Sequence, residues 1–320
     1  MPNSINTILN TRETTRFDTT YHDRNLLENA KTKFVHAEYG TKKNLPRNNS
    51  TKISFARMTP FDPAVAAVAL TEGVTPESQS LTQSFVQAEI RQYGAYVRIS
   101  DMLKMASFDE VAEASTDLLG EQLGTAIEWV TRDAMCMTNS VQFANGKTAR
   151  TALTAADKLT TLEIRKAVRT LKKTKAKMFQ RKGGKPHFIC IVSPDATFDL
   201  QDDPLWQDVS KYSAAEQIYN GELGRLFSVV FVESTEAKVY EGAGSGGADV
   251  HAALIFGKDA YGIVDIEGSS AIKSIVKELG SSGAEDPLNQ RATIGAKVDG
   301  YAVTILNDEW IIEIEHGATV

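Results

Sequence analysis

The longest regular pattern of apolar residues in this chain lies between Ser107 and Thr138. Apolar residues recur there at steps of three and four, which predicts one amphipathic α-helix. At 1.5 Å per residue such a helix is roughly 45 Å long, more than the ~30 Å width of a small domain. We therefore expect a central helix, which we call the spine, with other elements packed across it. Its apolar positions are Val111, Ala114, Leu118, Leu119, Leu123, Ile127, Val130, Ala134 and Met137.

The ends and faces of the spine also follow from the pattern. Ser107 precedes the run and Glu110 follows three residues later, which predicts a capping box at the start of the helix. One face is expected to pack on the last strands of the chain, and the opposite face is expected to be polar. The packed face carries Leu118, Leu123, Ile127 and Val130, and the polar face carries Glu121, Glu128 and Arg132.

Two segments before the spine have the alternation that is typical of strands. Residues 52–58 alternate in polarity, and residues 82–100 are rich in β-branched and aromatic side chains. The linker between them contains Pro60, Pro63 and Pro76 and is too long for a plain hairpin turn. A two-stranded ribbon is marginal in water by itself, so we expect this ribbon to contact another copy of the chain.

A second helix is predicted from Thr160 to about Phe179, with a capping box formed by Thr160 and Glu163. Its apolar stripe is Leu162, Val168, Leu171 and Met178. Residues 165–185 contain ten basic residues and no acidic one, which leaves two interpretations open: a solvated face, or contact with an acidic neighbour or DNA. The candidate contact residues are Arg165, Lys166, Arg169, Lys172, Lys173 and Lys175.

The remainder of the chain alternates strands and short helices. Residues 186–192 form a continuous apolar run, which predicts a buried strand, and Ser193 followed by Pro194 predicts the start of a helix through Leu200. Further strands are predicted at 226–232, 252–256 and 261–266, so residues 186–270 read as a mixed α/β unit. Near the end, 301–306 and 310–314 predict an antiparallel hairpin in which Ile312 and Ile314 face Val303 and Ile305.

Composition narrows the function classes. The chain has 320 residues, of which 42% are hydrophobic and 24% charged, an ordinary globular balance. The net charge of −6 argues against a simple DNA-binding domain. Residues 1–50 nevertheless hold eight basic and five acidic residues, so this segment is either a solvated arm or an arm that touches an acidic neighbour or nucleic acid.

Signatures of chemistry are absent from the sequence. The five histidines are scattered and no Cys-x-x-Cys occurs, so neither a metal site nor a cofactor is predicted. The glycine-rich run 241–247 lacks the lysine of a phosphate loop. Cys136 and Cys190 lie on predicted buried faces, where reduced thiols fit better than a disulfide. No apolar stretch is long enough to predict a signal peptide or a membrane span. We therefore predict no catalytic residue.

The order of elements resembles the major capsid proteins of tailed double-stranded-DNA phages, which have the Hong Kong ninety-seven type fold. Within that group the chain is similar to the capsid family of the N-four-like podoviruses. The resemblance covers nearly the whole chain in order. It is carried by YHDRNLLENAKTKFVHAEYG (21–40), ALTEGVTPESQSL (69–81), RQYGAYVRISDML (91–103), LLGEQLG (118–124), GELGRLFSVVFVES (221–234), LIFGKDAYGIVDIEG (254–268) and DPLNQRATIGAKVDGYAVTILNDEWIIEIEHG (286–317).

The resemblance implies an α+β fold with an N-terminal arm, an extended β-ribbon loop, the spine, a peripheral domain and an axial α/β domain. The implied parts are the arm at 1–50, the ribbon loop at 51–100, the peripheral domain at 101–185, the axial domain at 186–270 and closing peripheral strands at 271–320. Arm and ribbon would contact neighbouring subunits. The expected contact residues are Tyr21, Arg24, Phe34, Arg57, Glu72, Pro76 and Arg98.

The implied function is structural and non-enzymatic. Subunits would assemble into hexamers and pentamers of an icosahedral phage head that encloses double-stranded DNA without sequence specificity. The location would be the virion, after assembly in the bacterial host cytoplasm. Portal and cement proteins are expected partners, and a scaffold would be a separate protein or unnecessary, since only about forty residues precede the ribbon.

Some relatives cross-link a ribbon lysine to a neighbour's asparagine. This ribbon has Lys52 at its base and no further lysine before Lys104, so we expect no such cross-link. Two other functions stay open. The first is the shell of an encapsulin-like bacterial nanocompartment, which holds enzymes rather than a genome. The second is an enzyme that uses the α/β unit as a nucleotide site, against which the missing phosphate loop argues.

Overall fold

Helices and strands are mixed along the whole chain, which confirms the α+β class. The structure is a computed structural model of the 320-residue chain. It describes residues 30, 34–44, 51–58, 61–67, 69, 72–73, 75, 78–180, 185–207, 222–264, 272–281 and 286–319, of which 103–113 and 222–225 are described by their backbone alone.

The helices of the described residues are α1 (Pro63–Ala66), α2 (Asp101–Met135), α3 (Thr161–Lys173) and α4 (Pro194–Gln201). The strands of the first half are β1 (Thr41–Lys43), β2 (Lys52–Met58), β3 (Gln83–Glu89), β4 (Arg91–Ser100), β5 (Val141–Phe143), β6 (Phe188–Val192) and β7 (Glu222–Leu226). The remaining strands are β8 (Val229–Glu233), β9 (Val239–Tyr240), β10 (Val250–Phe256), β11 (Tyr261–Val264), β12 (Ile272–Lys277), β13 (Arg291–Tyr301), β14 (Val303–Ile305) and β15 (Ile311–His316).

The spine is α2, and its 35 residues make it about 52 Å long. It continues directly from β4, and the N–H of Asp101 donates a hydrogen bond to the carbonyl of Gln290 (3.0 Å) at the junction. The predicted capping box at Ser107 is wrong because the helix begins six residues earlier. Sequence periodicity did not mark this start, because the predicted apolar stripe begins only at Val111.

The buried row of the spine consists of residues four positions apart: Leu119, Leu123, Ile127, Thr131 and Met135. The first three belong to a core that also contains β4, β12 and β13, whereas Met135 belongs to a second core under the large sheet. The spine therefore joins two cores, as its length predicted.

Part of the predicted spine face is wrong. Leu118 is 67% exposed and Met137 is 77% exposed, and Val130 is half-buried. Each residue of an α-helix turns the side chain by about 100°, so the burial of Leu119 directs Leu118 to solvent. Glu128, which was expected on the polar face, is fully buried.

The predicted long strand at 82–100 is two strands that belong to different sheets. β3 pairs antiparallel with β2 from Lys52 opposite Glu89 to Met58 opposite Gln83, which confirms the strand predicted at 52–58. β4 pairs with β13 in the three-stranded sheet β12-β13-β4, on which the spine packs. The chain changes sheets at Ile90, whose N–H donates to the carbonyl of Thr51 (2.9 Å).

The largest sheet has the order β5-β15-β10-β6-β8-β7, with β9 paired to β10. All five residues of β6 are buried, which confirms the strand predicted there. Ser193 caps α4 by accepting a hydrogen bond from the N–H of Ala196, as predicted. The segment 226–232 is not one strand, because Phe227 and Ser228 have φ of 50° and 66° and form the turn between β7 and β8.

The predicted hairpin at 301–314 is wrong. β14 pairs with β11 and β15 pairs with β10 and β5, so Ile312 and Ile314 do not face Val303 and Ile305. Every residue of β15 is buried, and such a strand gains more apolar burial inside a large sheet than at the edge of a hairpin. The segment 271–320 is therefore divided between sheets.

The second helix, α3, ends at Lys173, six residues before the predicted end, and Lys175 has a left-handed φ of 54°. The predicted capping box is also wrong, because the side chain of Thr160 makes no cap hydrogen bond. Asp203 accepts instead from the N–H (3.1 Å) and the hydroxyl (2.9 Å) of Thr161. This cap comes from a residue more than forty positions away, which local spacing does not reveal.

Neither cysteine is in a disulfide, because Cys136 and Cys190 are both free thiols, and Cys190 is buried. Among the described residues, no helix is long and apolar enough to cross a membrane.

Candidate functional site

The candidate functional features of the described residues are surfaces and the contacts that position them. In the described part of the chain, no group of three or more His, Cys, Asp or Glu side chains is arranged to hold a metal ion. Burial raises the pKa of the Cys136 thiol to about 12, so this thiol is a poor nucleophile at neutral pH. We therefore describe the surfaces and the contacts that position them.

The first surface is the open end of the β2–β3 ribbon. The base of the ribbon is buried through Ile53, Phe55 and Ala88, which belong to the same core as the spine. Farther out, five large apolar side chains are at least half exposed, and we call them the ribbon tip. The ribbon tip consists of Met58 (55% exposed), Phe61 (55%), Val65 (50%), Leu81 (62%) and Phe85 (61%).

The ribbon tip has the composition of a protein-binding surface. Burying a large apolar side chain is worth ~1.5–3 kcal/mol, and soluble monomers rarely expose several such residues together. Between Arg57 and Arg91 the sequence contains Asp62, Glu72, Glu77 and Glu89 but no lysine or arginine. The tip is therefore both apolar and acidic.

The structure describes four of the seven predicted contact residues, and they lie in different parts of the fold. Arg57 and Glu72 are exposed in the ribbon and its linker. Arg98 is exposed on β4, where it donates to the hydroxyl of Tyr96 (2.9 Å) and lies over its ring. Phe34 packs against the core of its own chain instead of extending outward. Tyr21, Arg24 and Pro76 lie outside the described residues.

The second feature, which the sequence did not reveal, fixes residues 34–37 to the spine. The buried Oε1 of Glu128 accepts from the N–H of Val35 (3.0 Å) and of His36 (2.6 Å). The ring Nδ1 of His36 lies 2.6 Å from the same oxygen, and Oε2 accepts from the N–H of Ala37 (3.3 Å). One carboxylate thus satisfies three backbone donors of a segment ninety residues away, and we call this contact the arm anchor.

Two neighbours complete the arm anchor. The hydroxyl of Tyr261 donates to the carbonyl of His36. One turn before Glu128, a Cβ at Gly124 would lie 2.7 Å from the carbonyl oxygen of Ala30, so only glycine permits this close approach. These contacts place the start of the described chain along the spine.

The third surface is the basic face of α3. Arg165, Arg169, Lys172 and Lys173 line an open groove of about 490 Å³ whose other wall is the β7–β8 turn. Lys166 points away from the groove and pairs with the buried Glu163 (2.8 Å). Lys175 follows the helix and does not line the groove. The structure therefore brings together four of the six basic residues that the sequence indicated.

A buried acidic pair lies on β15, between β5 and β10 in the large sheet. Glu315 forms two hydrogen bonds with the guanidinium of Arg150, at 2.5 and 2.8 Å. Glu313 accepts from the hydroxyl of Tyr240 (2.8 Å), while its Oε2 has no hydrogen-bond partner among the described residues. Burial raises the pKa of the Glu313 carboxyl to about 7, which the hydrogen bond from Tyr240 partly opposes.

Comparison with known proteins identifies the class of fold. No protein-family model and no curated protein sequence matches the chain. Many solved structures do match, and they show that the chain has the Hong Kong ninety-seven type fold of tailed-phage capsid proteins.

Three of the similar structures define the likeness. The capsid of Ralstonia phage GP4 is 13% identical, with 88% of this chain and 86% of that chain covered at a TM-score of 0.66. The capsid of cyanophage Pam1 is 14% identical, with 91% of this chain and 92% of that chain covered at a TM-score of 0.64. A virus-like particle from Pyrococcus furiosus is 10% identical, with 92% of this chain and 98% of that chain covered at a TM-score of 0.50.

Proposed function

We propose that this chain is the major capsid protein of a tailed double-stranded-DNA phage, a non-enzymatic subunit that assembles with its own copies into an icosahedral head. The fold supports this proposal, because similar phage capsid structures match nearly nine-tenths of the chain. A shell of repeated interfaces is stable by mass action even where each contact is modest. The protein then belongs to the virion.

The ribbon tip is the observation that carries the proposal. Five large apolar side chains at the end of a two-stranded ribbon have no partner core among the described residues. A neighbouring copy supplies one in a shell. The acidic residues of the linker then contact basic residues on that neighbour, and Arg98 on β4 is exposed for such a contact.

The finer assignments of domains, family and partners rest on the resemblance of the sequence to phage capsid proteins. The arm occupies 1–50, the ribbon loop 51–100, the peripheral domain 101–185 with 271–320, and the axial domain 186–270. Because β5 and β15 lie in the large sheet, we extend the axial domain to include Val141–Phe143 and Ile311–His316. The family is that of the N-four-like podovirus capsids, and assembly takes place in the bacterial host cytoplasm. Subunits form hexamers and pentamers, with separate portal, scaffold or cement proteins as partners.

A bacterial nanocompartment shell is the second candidate function. The specific observation in its favour is the likeness to the virus-like particle from Pyrococcus furiosus, at a TM-score of 0.50. The phage capsids match better, at 0.66 and 0.64. The two functions differ in cargo: shells isolated from infected cells contain double-stranded DNA in the first case and a cargo enzyme in the second.

Negative-stain electron microscopy of the purified chain tests the proposal. We expect uniform shells from the natural chain. Phe85→Asp places a charge in the ribbon tip, so this variant should remain as folded, unassembled subunits. Phe85→Leu is the matched control, since it preserves an apolar side chain, and it should assemble. Monomers of the natural chain at high concentration would refute the proposal, and normal shells from Phe85→Asp would refute the role of the ribbon tip.

A further inference from the structure

The basic groove of α3 differs in character from the ribbon tip. Its four cations occupy the exposed side of one short helix, and successive positions such as Arg165, Arg169 and Lys173 are about 6 Å apart along the helix axis. The whole chain has a net charge of −6, so this local excess of positive charge is not a general property of the surface.

The second wall of the groove is formed by a turn with an unusual backbone. Phe227 and Ser228 both have a positive φ, which tightens the β7–β8 turn and holds the partly exposed Phe227 ring beside the helix. The guanidinium carbon of Arg165 lies 5.3 Å from the centre of that ring. This cation–π contact orients Arg165 while leaving its N–H donors available in the groove.

The cations of the groove have no acidic partner among the described residues. Across the residues that the structure describes, no carboxylate lies within ion-pairing distance of Arg165, Arg169, Lys172 or Lys173. The nearest acid along α3, Glu163, is buried and pairs with Lys166. Four positive charges therefore converge on one open groove, where no carboxylate of the described residues competes with an anionic partner.

We infer that this groove binds the sugar–phosphate backbone of nucleic acid, which deepens and rests on the proposed role of the chain as a DNA container. A strand of DNA carries a phosphate every 3.4 Å along the axis, so the roughly 12 Å from Arg165 to Lys173 faces three to four phosphates. Arginine matches the geometry of phosphate oxygens, and lysine adds mobile charge. Such contacts read no base sequence.

An acidic surface of a second copy is the competing partner, and the composition of the groove argues against it. Protein interfaces are enriched in aromatic residues, methionine and arginine, but they are depleted of lysine. The groove contains Lys172 and Lys173 with one partly exposed aromatic ring, whereas the ribbon tip contains five apolar side chains. The groove is therefore the surface suited to a polyanion, and the ribbon tip is the surface suited to another subunit.

Two triple variants of equal net charge test the inference. The groove variant carries Arg165→Gln, Arg169→Gln and Lys173→Gln. The control variant removes three exposed charges elsewhere, through Lys42→Gln, Lys258→Gln and Lys277→Gln. Binding of the unassembled full-length chain to a short fluorescent DNA duplex of arbitrary sequence is measured by anisotropy over a series of NaCl concentrations. Thermal unfolding shows that both variants are folded, and electron microscopy records their assembly.

The groove variant should bind the duplex at least tenfold more weakly than the natural chain. The slope of log affinity against log salt should fall by about 2.7, since each lost phosphate contact removes about 0.9. The control variant should stay within about twofold, because none of its three lysines lines the groove.

Equal binding by the groove and control variants would overturn the inference. A groove variant that binds DNA normally but forms no shells would also overturn it, since the groove would then be an interface between copies. If the natural chain binds DNA through the groove but forms no shells, the proposed capsid function fails while the groove assignment stands.

Discussion

Replacing Glu128 by glutamine should loosen the arm anchor. The carboxylate is fully buried and accepts hydrogen bonds from three backbone N–H groups, with the ring of His36 2.6 Å away. A glutamine of the same size retains one acceptor oxygen but directs an amide NH2 group at a backbone donor. At least one buried N–H is then left without a partner, and the remaining bonds lose their charge.

The magnitude follows from those contacts. A hydrogen bond to a charged group contributes ~1.5–3 kcal/mol, and removing one partner of a buried charged contact costs ~3–5 kcal/mol. We therefore expect Glu128→Gln to lower the free energy of unfolding by about 3 kcal/mol. The matched control is Glu121→Gln on the exposed side of the same helix, which should change it by less than about 0.5 kcal/mol.

Urea unfolding of the unassembled subunit measures the change in stability, and hydrogen–deuterium exchange shows where it arises. The amides of Val35, His36 and Ala37 should exchange faster in Glu128→Gln, while the amides of β6 should keep the protection of the natural chain. If Glu128→Gln is as stable as Glu121→Gln and protects these amides equally, the arm anchor does not hold the segment.

Three further predictions concern the acidic pair, the spine and the ribbon. The pKa of Glu313 is raised from 4.5 to about 7, so its own contribution to stability should fall by roughly 3 kcal/mol as pH rises from 4.5 through 7. Glu313→Gln removes this contribution, so the difference in unfolding free energy between the variant and the natural chain, measured by urea unfolding, should change in favour of the variant between pH 5 and pH 8. Leu123 is 3% exposed, so Leu123→Asp should yield insoluble protein, and soluble assembled protein would contradict the buried face. Shells boiled in detergent should run as monomers on a gel, because Lys52 is the only lysine of the ribbon; a ladder of covalent oligomers would contradict this.

The elements that periodicity predicted well are those whose signal lies within a few neighbouring residues of the sequence. The strand at 52–58, the buried strand at 188–192 and the helix start at Ser193 appear where the pattern placed them. A Ser-Pro pair sets backbone angles and a cap within one turn, independently of the rest of the chain. The existence of the spine was predicted for the same reason, although its start was not.

The candidate surfaces were predicted less completely. The basic residues of α3 were visible as a run, but the ring of Phe227 completes the groove from a strand turn sixty residues away. The ribbon was visible as two strands, yet the exposure of Met58 and Phe85 depends on which side of the ribbon meets the core. Exposure is a property of the packed molecule, and one alternating pattern is compatible with either side.

The sequence by itself determined that helices and strands are mixed, that the spine is too long for one core, and that positive charge concentrates on the second helix. Only the tertiary structure decided that Glu128 is a buried acceptor, that Asp203 caps α3, and that β15 joins the large sheet. The physical reason is the range of the interactions. Helix and strand patterns arise between near neighbours, whereas the partner of a carboxylate or a strand is whichever group the folded chain places beside it.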